Sequence, residues 1–215
     1  MAQTQLHQIS SILQGQKVQL PDLAKLSQQW DTIVNPNEDQ VKAVVDRILS
    51  MYTVSPRVNA KLTQNMLSTY VSSCFPFAER ETLTELTYFV CWMFLVDDEI
   101  DQLPSENDAQ GSSLGQLWSE VLGTAQKSCS VVESGIRGEA NTLKPTDVFW
   151  DFGKGLRHKY SIDQCSRFLN EIATTAGAYQ MEQKYRDEGI LPNYSSYCDY
   201  RYGRCCMAQV VALVE

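Results

Sequence analysis

Apolar positions along this chain recur at offsets of three and four, the spacing of helix faces, and show no alternation bounded by hairpin turns. Val41, Val44, Val45, Ile48 and Leu49 form one face of a segment over 38–52, with Asn37 placed to cap it. Pro56 suits the first turn of a second segment whose stripe is Val58, Leu62, Met66 and Tyr70, and Phe75-Pro76-Phe77 breaks it. A third segment spans about 80–103 and stops at Pro104. After a polar loop at 104–112, Leu117, Trp118, Val121 and Leu122 mark a helix over 114–131. A polar loop around 135–145 leads to helical segments over 146–160 and 162–187, the latter ended by Gly189-Ile-Leu-Pro192. A last helix begins near Tyr194 and runs to the final residue. Residues 1–37 carry weak signals and read as a partly ordered cap. No internal repeat is present. The expectation is an all-α chain of six or seven helices in a single domain.

One segment breaks the amphipathic pattern. Residues 88–96 are nine uncharged, mostly apolar positions, buried all round if helical, and they run straight into Asp97, Asp98, Glu99 and Asp101. Carboxylates at a helix C-terminus add to its negative end and call for a cation. Between Arg80 and Lys127 there is no Lys, Arg or His. A bound metal ion is the simplest answer. Charge counting sharpens this. The formal net charge is −8, yet residues 81–126 alone hold nine acids and no base, so the rest of the chain is close to neutral. Acidity confined to one place speaks against nucleic acid and for cations as partner.

The remaining composition excludes more than it adds. No apolar run approaches the ~20 residues a membrane helix needs. The first residues lack the charged and apolar regions of a signal peptide. A cytoplasmic protein with no membrane partner is expected. Seven cysteines (74, 91, 129, 165, 198, 205 and 206) show no CxxC spacing, and Cys74 and Cys91 sit among apolar neighbours, so reduced core thiols are expected.

The candidate chemistry lies in three places. Asp97-Asp98-Glu99-Ile100-Asp101 is a DDxxD arrangement, in which residues four apart share a helix face and reach one ion cluster. Asp97 and Asp101 continue the stripe of Leu86, Phe89, Val90, Met93 and Phe94, and Asp98 stands beside them. The plain alternative is a solvated acidic helix end; the buried stripe and missing counter-charge count against it. Tyr197 and Arg201 are four apart on the last helix, and the flat guanidinium fork suits phosphate. A surface ion pair of Arg201 with Asp199 or Glu188 is the competing reading. Glu182 lies on an amphipathic helix, where a lone Glu is usually solvated. His7 and His158 are isolated, and no Gly-rich phosphate loop or Ser/His/Asp arrangement is present.

Taken together, from Phe77 through Asp97–Asp101 and Glu182 to Pro192, Tyr197 and Arg201, the chain resembles the class I terpene synthases of fungal type. The resemblance covers about 40–215 and implies an α-helical isoprenoid-synthase barrel. It implies that Asp97, Asp98 and Asp101 bind Mg2+ (three ions in the complete enzyme, with Mn2+ an alternative). The metal then holds the diphosphate of a prenyl substrate, farnesyl diphosphate by default, whose ionisation leaves a cation that cyclises in a dry apolar pocket. Met93 and Phe94 are expected to line that pocket, and Phe89 to line it or pack in the core. Arg201 is implied as the diphosphate-sensing arginine, with Glu182 and Arg204 near the substrate. Arg204 and Cys205 occupy positions that couple sensing to ionisation in the family, and an arginine there is unusual.

The resemblance breaks after Arg201. The second metal motif of the family, Asn/Asp-x-x-x-Ser/Thr-x-x-x-Glu, is absent, and the chain ends within the apolar run Met207–Glu215. The expectation is an incomplete barrel lacking its C-terminal part, of low stability and little turnover, with the oligomeric state open and a homodimer allowed. A prenyl-diphosphate synthase is the runner-up, though a second DDxxD and a Gly-Lys-x-x-Arg segment are missing. A non-catalytic helical module binding a basic partner is the reading from another class.

Overall fold

A computed structural model of the chain describes residues 11–17, 19–23, 25, 28, 31, 33–51, 67–101, 114–129 and 145–214. Side chains at 101, 127–129, 145–147, 150, 151, 154 and 157 lie outside that description. The described residues form eight helices and no strand: α1 (Glu38–Met51), α2 (Leu67–Cys74), α3 (Arg80–Asp101), α4 (Leu114–Cys129), α5 (Pro145–Lys159), α6 (Ile162–Glu188), α7 (Tyr194–Arg204) and α8 (Met207–Val214). The all-α expectation holds. The predicted stripe at Val58, Leu62 and Met66, the loops at 104–112 and around 135–144, and much of the 1–37 cap lie outside the described residues.

The expected single last helix is two. It divides at Cys205–Cys206 because Cys206 takes a left-handed backbone, φ 56°, which a residue with a β-carbon cannot propagate as a helix. Cys74 also departs from expectation. It is exposed, whereas Cys91 and Cys165 are buried, and the described cysteines with placed side chains are all free thiols.

α3 is the central element, packing against α1, α2 and α5. Its apolar middle explains this: Phe89, Val90, Cys91, Trp92, Leu95 and Val96 are all buried. Phe89 meets Phe152 of α5 at 5.2 Å between ring centroids, Trp92 meets Phe149 at 4.8 Å, and Phe152 meets Phe168 of α6 at 5.5 Å. Each such offset pair adds about 0.5–1.5 kcal/mol beyond its buried area. α4 bridges α5 and α6, and α6 carries α7 and α8. α1 buries Val41, Val45, Ile48 and Leu49, the face read from sequence. Ahead of it, buried Asn35 donates through Nδ2 to the carbonyls of Phe75 (2.9 Å) and Ala78 (2.8 Å), tying the entry of α1 to the turn after α2. Asn37 donates its side-chain amide to Asn35 Oδ1 instead of capping α1 with it.

The long helix α6 has well-defined ends. Ser161 and Gln164 form a reciprocal capping box at its start. Gly189, at φ 61°, closes its end: its N–H donates to Arg186 O (3.1 Å) and that of Ile190 to Tyr185 O (3.0 Å). Thr175, Tyr179 and Glu182 are thereby held at fixed heights along one helix. Among the described residues no helix is long and apolar enough to cross a membrane.

Candidate functional site

α7 begins at Asn193, whose side chain accepts from the Ser196 N–H at 2.9 Å. It then crosses α6 at Gly203. A β-carbon built on Gly203 would lie 2.8 Å from Ala178 Cβ, so the two backbones approach as closely as they do only because residue 203 has none. The buried Thr175 hydroxyl donates to Gly203 O at 2.8 Å. From α8, Gln209 donates to Glu171 O (2.9 Å) and to Thr175 Oγ1, closing the α6–α7–α8 junction.

This junction aims Arg204 at the end of α3. Its guanidinium carbon stands 4.8 Å from the centroid of the Tyr179 ring, in cation–π geometry. Nη2 donates to Asp97 Oδ1 at 3.2 Å, and Nη1 donates to Glu182 Oε2. The Tyr179 hydroxyl donates to the same Asp97 Oδ1 at 2.7 Å. Arg186 donates to the other Glu182 oxygen at 2.7 Å. Two carboxylates and two guanidinium groups thus form one chain, with Asp97 at its outer end. Burial first, and then the bond to Asp97, push the Tyr179 phenol well above its ordinary 10.0, so it stays a donor. Burial works against the charge of Arg204, but Tyr179 and Glu182 outweigh it and hold its pKa above the usual value.

A cavity of about 220 Å3 opens beside this chain. Tyr70, Met93, Phe94 and Asp97 form one wall, and Tyr179, Arg201, Arg204, Cys205 and Cys206 the other. Phe94 packs edge-on against Tyr70, centroids 5.9 Å apart. Burial lifts the Cys206 thiol to about 12, so it meets the cavity as a neutral group. A larger depression, about 320 Å3, lies around Arg167, Glu171 and Met207 and contains none of the candidate residues. The smaller cavity is the one at which Asp97, Arg201 and Arg204 converge.

Of the residues singled out from sequence, the fold brings Met93, Phe94, Asp97, Arg201 and Arg204 to this cavity. Arg201 is exposed at its rim and makes no ion pair among the described residues. Glu182 stands behind Arg204 and does not line the cavity. Asp98 is 7% exposed and lies off the cavity wall. Phe89 is fully buried in the aromatic core, the second of its two expected places. The backbone of Asp101 closes α3, and its side chain lies outside the description. Tyr179, Gly203 and Thr175 were not anticipated. Tyr179 had a signal, since it lies one turn before Glu182 on the same face.

The donor set at Asp97 fits a hard divalent cation. Both bonds to this carboxylate fall on Oδ1, and among the described residues nothing bonds Oδ2. The side chain is 39% exposed, and the residue lines the cavity. No three His, Cys, Asp or Glu groups converge as a cage among the described residues. An ion held here completes its shell with water or phosphate oxygens, as Mg2+ commonly does.

Comparison with known proteins agrees with the fold. Residues 88–215 match the family described as terpene synthase family 2, C-terminal metal binding. The chain belongs to this terpene synthase family. It is 30% identical over 213 residues to the sesquiterpene cyclase hepA of Aspergillus oryzae, an alignment covering 91% of this chain and 54% of that protein. It is 30% identical over 89 residues to the terpene cyclase braA of Annulohypoxylon truncatum, covering 40% of this chain and 24% of the relative. The crystal structure of the SVS_A2 protein, from ancestral sequence reconstruction, superposes with a TM-score of 0.65 at 17% identity, over 86% of this chain and 55% of that one. At that identity the likeness speaks for the fold alone. The chain spans about half the length of the relative it matches along most of its own.

Proposed function

We propose that this chain forms the part of a terpene cyclase that binds and ionises a prenyl diphosphate, with Mg2+ as the metal and farnesyl diphosphate as the default substrate. The observation that carries the reading is the two-walled cavity. A carboxylate with a free oxygen lines it together with two arginines, and Tyr70, Met93 and Phe94 make one side apolar. Such a cavity suits a molecule with a polyanionic head and a hydrocarbon tail. Arg201, at the rim, offers a planar fork to phosphate oxygens. Met93, Phe94 and Tyr70 supply a surface that excludes water, and the two rings stabilise a cation through their faces without reacting with it. Tyr179, held protonated, orients Asp97 and cannot act as a base at neutral pH. The bound metal contributes neutralisation of the charge that grows on the departing diphosphate. The sesquiterpene cyclase relationship supports a fifteen-carbon substrate.

The test is direct. Titration with inorganic pyrophosphate in the presence and absence of Mg2+ is expected to show metal-dependent binding that Asp97→Ala abolishes. Binding that ignores Mg2+, or survives Asp97→Ala, overturns the reading and favours a module for a basic partner. Incubation with geranyl, farnesyl and geranylgeranyl diphosphates, followed by product analysis, separates cyclisation from chain elongation.

A further inference from the structure

We propose that Arg204 is a built-in counter-ion that occupies Asp97 until diphosphate arrives, so that a divalent metal alone binds this chain poorly and metal and diphosphate bind together. The proposal rests on the diphosphate-site reading above and adds a role for an arginine at an unusual position.

Three observations carry it. Arg204 bonds Asp97 Oδ1 directly, at 3.2 Å, so a metal seeking that carboxylate meets a positive charge already in place. Arg204 is not a free surface group. Its side chain is 14% exposed, seated on the Tyr179 ring and anchored by Glu182, which is equally buried. It therefore cannot simply move into water when a cation approaches. Finally, Arg204 lines the cavity together with Arg201, so a polyanion entering there offers its guanidinium a replacement partner. Glu182 keeps Arg186 on its other oxygen and holds a neutralising cation if Arg204 turns to the anion. A dication without an anion must displace or oppose Arg204. A dication that comes with diphosphate brings the group that relieves it. Coupling of this kind is reciprocal: diphosphate also binds more tightly when metal is present.

The probe is Mn2+ alone, followed by electron paramagnetic resonance of the free ion, with inorganic pyrophosphate added in a second series. Arg204→Gln is expected to tighten Mn2+ binding in the absence of anion by about tenfold, a change of about 1.4 kcal/mol. Arg204→Met keeps an unbranched stem on Tyr179 and is expected to do the same, which covers a failure of the first variant to fold. Arg201→Gln removes the same charge from the same cavity without touching Asp97, and Lys184→Gln removes a remote one. Both are expected to change Mn2+ affinity less than about twofold, as screened charges do. Unchanged or weaker Mn2+ binding in both Arg204 variants overturns the counter-ion role, as does an equal gain in Arg201→Gln. If the wild-type chain binds Mn2+ together with pyrophosphate in the second series, the site reading survives and only the role of Arg204 falls. If it binds none, the site reading itself has failed.

Discussion

Replacing Gly203 by alanine should act with the opposite sign to the same change at Gly177, one helix away. Both glycines lie in helices, where alanine is favoured by about 1 kcal/mol. At Gly177 nothing lies within 4 Å of the added β-carbon, so that gain is expected almost in full, about 0.5–1 kcal/mol. At Gly203 the new β-carbon stands 2.8 Å from Ala178 Cβ. Carbon atoms settle at about 3.5–4.0 Å, so α7 must retreat from α6 by roughly 1 Å. Neither β-carbon can swing aside, because each is fixed to its backbone. Overpacking of this kind costs about 1–3 kcal/mol, leaving a net loss of up to about 2 kcal/mol after the propensity gain. The retreat also stretches the Thr175 bond to Gly203 O and carries Arg204 with it. The 3.2 Å bond from Arg204 to Asp97 has little slack before it leaves hydrogen-bond range. Urea midpoints of the two single variants, measured side by side, give the signs. Adding Ala178→Gly to Gly203→Ala should recover the loss by removing the opposing methyl group. The reasoning fails if Gly203→Ala raises the midpoint as Gly177→Ala does, or if Ala178→Gly gives no recovery. Gly203→Ala should also tighten binding of Mn2+ alone, in the direction expected of Arg204→Gln.

Asn35→Ala removes a buried amide that donates to two carbonyls and accepts from the Asn37 N–H at 3.0 Å, and stranding such groups should cost about 2–4 kcal/mol, read as a lower urea midpoint. Stability should also fall on the alkaline side. Burial raises the Cys91 thiol from its ordinary 9.0 to about 12 in the folded chain, so the unfolded chain loses its proton first. The contribution of Cys91 is then complete below pH 9 and declines as pH rises from 9 toward 12. Urea midpoints between pH 7.5 and 10.5 should decline, and Cys91→Ala, though less stable overall, should decline less steeply; equal slopes would refute the assignment.

How far the sequence revealed the fold depended on whether the signal was local. The wall formed by Met93, Phe94 and Asp97 follows from offsets of three and four on a helix whose type was never in doubt. The face of α1 followed in the same way. The division between α7 and α8 did not, because cysteine is no helix breaker and nothing local marks the left-handed turn at Cys206, after which α8 packs on α6. Phe89 had two places open to it, and only the positions of Phe152 and Phe168 on other helices decide for the core. Arg204 was visible as an oddity, but its partner is 107 residues away, and the pairing depends on a helix crossing that Gly203 permits.

That pairing also changes what the acidic cluster means. From sequence, acids at the end of a buried helix with no nearby cation called for a metal. In the fold, cations do answer α3 along its length, from elements far away in the chain. Lys159 of α5 lies 3.3 Å from Glu85 and 3.6 Å from Glu81, and Arg204 of α7 meets Asp97. A missing local counter-charge therefore does not by itself argue for a metal, since Glu85 lacked one too and is simply paired. What distinguishes Asp97 is where its cation stands and how it is shared. Lys159 closes a pair between packed helices, remote from the cavity. Arg204 lines a cavity, bonds both Asp97 and Glu182, and leaves Asp97 Oδ2 without a bond among the described residues, on a side chain that lines the same cavity. A paired acid of the first kind is finished as a structure: the Glu85 oxygen left without a hydrogen bond, Oε2, is fully buried and out of a ligand's reach. One of the second kind still has an oxygen to offer, and it holds an arginine that an incoming polyanion can take away.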